Sequence, residues 1–465
     1  MVSRIPPRSA AGEARMSQVD TAWLRMDSPA NLMMILGVWI LKPALSYATV
    51  RRRLAQRLLQ YPRFAQRVQH DLTGVSWVPD PDFRIAHHVV REHLPPYPAD
   101  GAQQALQDRL AELATRPLQM DRPLWQFHLV EEFDGGSALL VRIHHCMADG
   151  LALLAVTQSL VDEGPPPPVR RRPARRGPLA SAETWLAHSL VQPLAGLAVK
   201  ALDKAGSGGL ARLGYQLAQD AAALALLPDD SPTRLKGTPG PAKRVAWCQP
   251  IPLHEVKAVG RALNCSVNEV LLSCVAGAIG GYLRSLGDDI TGTELRAMVP
   301  VNLREPAQAH ELGNHFGLAP LLLPIGLAHP LERLYEVRRR MRAMKGSQQP
   351  LLAYALLAVA GLLVKPAQDL LLGYFSRKTT AVMTNVAGSP TRLHFCGATL
   401  TQSLFWVPQS GTVGLGVSIL SYGGGVQFGI ISDAGLCPQP QRIIERFAPE
   451  FAQLTLLTLM LPWGE

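Results

Sequence analysis

Two adjacent histidines, His144 and His145, close an apolar run, and Asp149-Gly150 follows at once in LVRIHHCMADGLALL, residues 140–154. Three chemistries compete for this pattern. Strand-end imidazoles with Asp149 capping a helix that opens at Gly150 make it purely structural. A metal site needs ligands on one face, whereas neighbouring strand residues point to opposite sides. No Cys/His cluster elsewhere in the chain supplies further ligands. The third chemistry is general-base catalysis, because an imidazole titrates near neutral pH and takes a proton from a hydroxyl as its oxygen attacks a carbonyl. The alternation of a strand end then presents one histidine to a cleft and buries the other. No G-x-S-x-G nucleophile motif is present, so such a base acts on the acceptor substrate itself.

The elements that must position these residues are legible in outline. Two strand-like runs, LWQFHLVEEF (124–133) and SALLVRI (137–143), are joined by Asp134-Gly135-Gly136, a hairpin-type turn signal. GLALLAVTQSLV (150–161) reads as a buried helix. Upstream, Val50, Leu54, Leu58 and Tyr61 recur at helical spacing opposite arginines and predict a basic amphipathic helix over 48–68. Leu106, Leu110 and Leu113 predict another helix over 102–116. Residues 164–178, GPPPPVRRRPARRGP, form a Pro-rich linker, followed by a helical Ala/Leu-rich region to about 228 and a turn-rich break, PDDSPTRLKGTPGP. Mixed α/β character resumes from about 243: helix VNEVLLSCVAGAIGGYLRSL, strand ELRAMVPVNL, and later strands around TAVMTNVAG, VGLGVSIL and GVQFGIIS. With no internal repeat, the pattern is two non-identical α/β halves joined by a long crossover. The expected divisions are an unstructured extension 1–15, a first domain 16–163, a linker 164–242 and a second domain 243–465. Met16 is an alternative translation start.

Composition narrows the partners. The chain has 465 residues, 47% of them hydrophobic, and 46 basic against 36 acidic residues give a net charge of +10, enough core for two or three domains. Five arginines without an acid lie in 164–178, and no zinc-finger, RNA-recognition or basic-zipper spacing accompanies them, so nucleic acid is not an expected partner. The six scattered cysteines form no C-x-x-C pair and suit reduced thiols in a cytoplasmic protein. Residues 1–15 lack the apolar core of a secretory signal. The longest charge-free apolar stretch, 350–364, reaches only about 22 Å against a hydrocarbon core of about 30 Å. Contact with anionic lipid through the arginines is the expected role of the linker.

HHCMADG (144–150) is the HHxxxDG signature of the CoA-dependent acyltransferase superfamily, which peptide-synthetase condensation domains share. Several further stretches resemble the bacterial wax ester synthase/diacylglycerol acyltransferase family in particular: RPLW (122–125), VNEV (267–270) with Glu269 where the family has Asp, VPVNLR (299–304), GNHFG (313–317), TNVAGSP (384–390) with an inserted Ser389, and the opening SQVDTAWLRMDSP. NLMMILGVWIL stands where a Pro-Met-His-Val-Gly run is usual. The resemblance spans residue 16 to about 455, with the blocks in order.

It implies an α/β fold of two chloramphenicol-acetyltransferase-like domains with an active-site tunnel at their junction. The implied reaction moves a long-chain acyl group from acyl-CoA to a fatty alcohol or diacylglycerol, giving wax ester or triacylglycerol, with no cofactor and no metal. The rivals are an acyltransferase for a small or polyketide-like alcohol and a non-catalytic lipid-binding scaffold. His145 is implied as the general base and His144 as its support. Asp149, with Gly150 behind it, fixes the turn, and Arg304 is its candidate partner. Asn268 either orients substrate or caps a helix. Trp125 either packs or walls an acyl channel. Thr384 and Asn385 either donate to the oxyanion or form a plain turn. A peripheral location on the inner face of the cell membrane or on lipid droplets is expected, and a homodimer is compatible with the sequence.

Overall fold

The computed structural model describes residues 13–71, 74–98, 101–167, 215, 218–304 and 312–460. The linker arginines Arg170, Arg171, Arg172, Arg175 and Arg176 and the first twelve residues lie outside the described residues. The first half is built on a six-stranded sheet in the order His394–Phe395, Ala398–Trp406, Met34–Lys42, Gly136–His144, Trp125–Phe133, Val89–Glu92. Its central strand Gly136–His144 sends Leu139 and Ile143 into one core and Ala138 and Leu140 into another. Burial on both faces explains why it reads as a continuous apolar run rather than an alternating one. The hairpin that precedes it turns on Asp134 and Gly135, both at positive φ (47° and 68°), as a two-residue turn requires.

The second half carries a larger sheet, in the order Phe316–Leu323, Leu295–Asn302, Ala381–Ala387, Leu415–Tyr422, Gly425–Asp433, Lys243–Trp247. Helices Val267–Ser285, Pro330–Lys345 and Gln441–Met460 pack together over one of its faces. The halves are interlocked. Strand Ala398–Trp406, far along the second half, pairs antiparallel with Met34–Lys42 of the first, so the division expected at 243 is crossed by this strand.

Two expectations are corrected. The helix expected over 48–68 runs only over Tyr47–Arg57, with 3-10 turns to Ala65 and strand Gln66–Asp71 beyond. Pro62 bars Tyr61 from helical geometry, so the apolar period outlasts the helix. Ala14 and Arg15, expected in the unstructured extension, pair with Trp77 and Ser76 of strand Gly74–Pro79. Arg15 there binds Asp71.

Candidate active site

The two histidines end the central strand. His144 is the last paired residue, opposite Met34, and the backbone N–H of His145 donates to the Met33 carbonyl at 2.7 Å. His144 is held from both ring nitrogens: the Cys146 N–H donates to Nδ1 at 3.2 Å, and Nε2 lies 3.3 Å from Asp27 Oδ2. An amide donating to Nδ1 places the ring proton on Nε2, facing the Asp27 carboxylate.

The ring of His145 lies in an aromatic slot. It stacks on Trp23 with centroids 4.2 Å apart and planes 15° from parallel, and Phe316 lies tilted against both rings, 5.5 Å from His145 and 5.9 Å from Trp23. The residue is only 2% exposed. Burial pushes its imidazole down to about 4, against the opposing pull of the Asp149 carboxylate, so the ring is neutral at physiological pH.

Asp149 holds three segments at once. Oδ1 accepts the Ala152 N–H at 2.9 Å as the N-cap of helix Gly150–Leu160. Oδ2 accepts from Arg304 Nη2 at 2.7 Å and from the His315 N–H at 2.9 Å. Arg304 Nη2 also binds the Gly313 carbonyl at 2.9 Å, and that carbonyl accepts the Asp149 N–H at 3.2 Å. Gly313 adopts φ +122°, a conformation that side-chain-bearing residues rarely enter. Gly150 opens the helix with free space where a Cβ would lie.

The remaining expected residues sort differently. Trp125 is fully buried as a packing aromatic, its indole N–H on the Phe64 carbonyl at 2.8 Å and its ring stacked on His88. Asn268 is exposed and is not the helix cap. Ser266 caps Val267–Ser285, and Glu269, the departure from the family's Asp, completes a capping box with it. Thr384 and Asn385 are neighbours on strand Ala381–Ala387, so they face opposite sides of the sheet. Met383 lies in the helix-covered core, and Val386 packs against the core that holds Trp23 and Phe316. Thr384 thus shares the face of Val386, with its hydroxyl on the Val417 carbonyl at 3.3 Å, and the pair does not converge on one oxyanion.

Sequence reasoning gave no role to Asp20, Trp23, Asn314 and Phe316. Asp20, buried on helix Gln18–Arg25, accepts at Oδ1 from the Asn314 N–H (3.1 Å) and Nδ2 (2.7 Å). The same Nδ2 donates to the His145 carbonyl at 2.8 Å. Burial pushes the Asp20 carboxyl up, opposed by Arg63 at 4.0 Å and by the bonds from Asn314. These residues lie in the opening SQVDTAWL and in GNHFG, blocks legible as resemblance but silent about contact. Between the halves lies a small cavity of about 20 Å³ lined by Asn31, Met34, Leu36, Lys243, Gln409 and Ile431, and Met34 is the cross-strand partner of His144.

A two-domain α/β chain with its histidine pair at the junction has the architecture of condensation-type acyltransferases. It matches the wax ester synthase/diacylglycerol acyltransferase of Marinobacter aquaeolei VT8 with a TM-score of 0.67 at 21% identity, covering 96% of this chain and 99% of that one. The first condensation domain of the calcium-dependent antibiotic synthetase matches at 0.58 and 15%, with 97% of each chain covered. A starter condensation domain of rhizomide synthetase, solved with C8-CoA and Leu-SNAC, matches at 0.58 and 13%, covering 97% and 95%. The wax ester synthase/diacylglycerol acyltransferase catalytic domain matches residues 16–271, and the C-terminal domain of that family matches 312–455. The probable diacylglycerol O-acyltransferase tgs1 of Mycobacterium tuberculosis (strain ATCC 25618 / H37Rv) is 30% identical over 388 residues, 82% of either chain. The chain belongs to the wax ester synthase/diacylglycerol acyltransferase family and is an acyltransferase.

Proposed function

We propose that the protein transfers a long-chain acyl group from acyl-CoA to the hydroxyl of a fatty alcohol or diacylglycerol, with His145 as general base. The observation that carries this is the neutral imidazole of His145, buried against Trp23 and Phe316 at the junction of the two halves. The acceptor oxygen attacks the thioester carbonyl while its proton passes to His145. The tetrahedral intermediate then collapses, forming the ester and expelling the CoA sulfur, which takes the proton back from the imidazolium. Holding both substrates in line within a tunnel supplies much of the rate, and the step needs no cofactor or metal. His144 and Asp149 with Arg304 keep the strand end and the turn in place.

Lipid acceptors partition into membranes and droplets, and the surface near the site suits that source. Helix Gln349–Leu362 packs against helix Gln18–Arg25, which carries Trp23, and against strand Phe316–Leu323. Val359 and Leu362 on it, Val364 in the junction, and Leu370 on the next helix, Lys365–Ser376, are exposed apolar side chains. Among the described residues no single helix is long and apolar enough to cross a membrane; the exposed apolar side chains support the reading that this face rests on lipid. Incubation with labelled palmitoyl-CoA, hexadecanol and dioleoylglycerol, with products resolved, tests the reading. Formation of palmityl palmitate or triacylglycerol supports it. Faster acylation of a water-soluble alcohol, or none at all, refutes it.

A further inference from the structure

We propose that lipid contact at the helical hairpin Gln349–Leu362 and Lys365–Ser376 raises the rate of transfer, by fixing helix Gln18–Arg25 and with it the Trp23 ring against His145. The inference rests on the reading of this face as a lipid contact and adds a control of the site by that contact.

The hairpin braces both elements that wall the base. Helix Gln349–Leu362 turns Tyr354, Leu357 and Ala358 into the core that holds Trp23 and Phe316. Near its end, Gly361 lies backbone to backbone with helix Gln18–Arg25, where a Cβ would overlap the Gln18 carbonyl. Near its start, the Pro350 carbonyl lies equally close to Gly317, the neighbour of Phe316. Polar ties reinforce the first contact. Arg25 Nη1 donates to the Leu363 carbonyl at 3.0 Å and to the Gly361 carbonyl at 3.4 Å. Gln368 Nε2, from the second helix of the hairpin, donates to the Ala22 carbonyl at 3.0 Å, and Gln368 is fully buried. Helix Gln18–Arg25 is thus gripped on both sides of Trp23, the residue whose ring stacks on His145.

The outer side of the same hairpin suits a surface better than water. Helix Gln349–Leu362 carries no charged residue, and a helix apolar all round belongs in a core or against lipid. Even so, Val364 is 72% exposed and Leu370 77%. The flanks are basic: residues 337–378 hold eight Lys and Arg against one acid, Asp369, and Arg342, Lys345 and Arg377 are exposed. Apolar side chains ringed by cations fit an anionic lipid surface, the former in the acyl region and the latter among the headgroups. Lipid buries these side chains only when the hairpin is seated, so it favours that position by the difference in burial. Through Gly361, Arg25 and Gln368 the seated hairpin then holds Trp23 in the stacked geometry. A base held in place raises kcat rather than the affinity for substrate.

The test uses octanoyl-CoA and 1-hexanol, which stay largely in water, so that added lipid supplies no substrate. Phosphatidylglycerol vesicles are expected to raise kcat at least about threefold while KM moves less than about twofold. They are also expected to slow amide exchange over residues 18–25. Leu362→Asp, Val364→Asp and Leu370→Asp together should keep the rate measured without lipid and lose both responses. Arg25→Met should float with the vesicles as the native protein does and lose both responses. Native protein that floats with the vesicles while its kcat and its exchange over 18–25 stay unchanged overturns the inference and leaves the lipid contact standing. Protein that does not float overturns the lipid reading and the inference with it. Full activation of Arg25→Met overturns the coupling through helix Gln18–Arg25. If Arg25→Met does not fold, Gln368→Met takes its place with the same outcomes, and if neither folds the native and triple-variant responses decide. If 1-hexanol is not turned over, the amide exchange decides alone.

Discussion

Arg304 reaches Asp149 across 155 positions of sequence, Nη2 to Oδ2 at 2.7 Å, with both side chains buried. One residue comes from each half, so this ion pair ties the turn after the histidines to the second domain. Removing one member of a buried pair leaves an uncompensated charge and costs about 3–5 kcal/mol. Asp149→Ala, which also loses the helix cap and the His315 N–H bond, is expected to lower the melting temperature and the soluble yield together with activity. Asp149→Asn keeps a capping oxygen and is expected to fall between. Asp149→Ala protein with native melting but no activity would give the carboxylate a direct catalytic role instead.

The acid limb of kcat/KM should lie low. Burial holds His145 down to about 4, so the base stays unprotonated well below the ordinary histidine value of about 6.5. The same shift has a stability consequence. Between pH 6.5 and 4 the unfolded chain binds a proton that buried His145 refuses, so stability is fully present above 6.5 and falls as pH drops toward 4. His88, also pushed down to about 4 by burial, acts in the same direction. Denaturant midpoints at pH 7 and pH 5 check this. The loss should be smaller in His145→Gln, and an equal loss would place the protonation elsewhere.

At the start of helix Val267–Ser285 the structure separates two nearby residues. Ser266→Ala, removing the cap of Val267–Ser285, is expected to cost about 1 kcal/mol. Asn268→Ala, exposed in the first turn, is expected to leave stability unchanged. Thermal unfolding of the two variants side by side measures the difference.

How far the sequence reached is visible in these same residues. The hairpin, the strand end and the helix opening at Gly150 were legible because they depend on local signals: apolar runs, Asp134-Gly135 and a capping Asp149. Arg304 was legible as a partner only through the resemblance, since nothing local joins positions 149 and 304. The slot made by Trp23 and Phe316 and the clamp of Asp20 on Asn314 were not legible, because each brings together residues almost 300 positions apart. The helix expected to reach residue 68 failed for a local reason, Pro62, whose constraint outweighs an apolar period that continues past it. The opposed facing of Thr384 and Asn385 follows from the strand they occupy, whereas their Gly-containing neighbourhood reads as a turn.

Lipid contact has its own measurement. Leu362→Asp, Val364→Asp and Leu370→Asp together are expected to reduce binding to vesicles of anionic phospholipid while leaving transfer to a water-dispersed acceptor intact, because these side chains face outward. If the linker arginines contribute as well, binding weakens with salt as the screening length falls from about 10 Å at 0.1 M to about 3 Å at 1 M. Undiminished binding by the triple variant would move the contact to another face.

The most direct measurement is transfer by His145→Ala, with labelled palmitoyl-CoA, hexadecanol and dioleoylglycerol and the melting temperature recorded on the same preparation. Loss of a general base typically removes about 10²–10⁴-fold, and the ring's place against Trp23 leaves the strand-end hydrogen bonds to backbone atoms intact. The expected result is a folded protein whose transfer rate falls at least about a hundredfold, with His144→Ala harming stability more than the chemistry. A folded His145→Ala protein that keeps more than about a tenth of the native rate would contradict the assignment of His145 as the base.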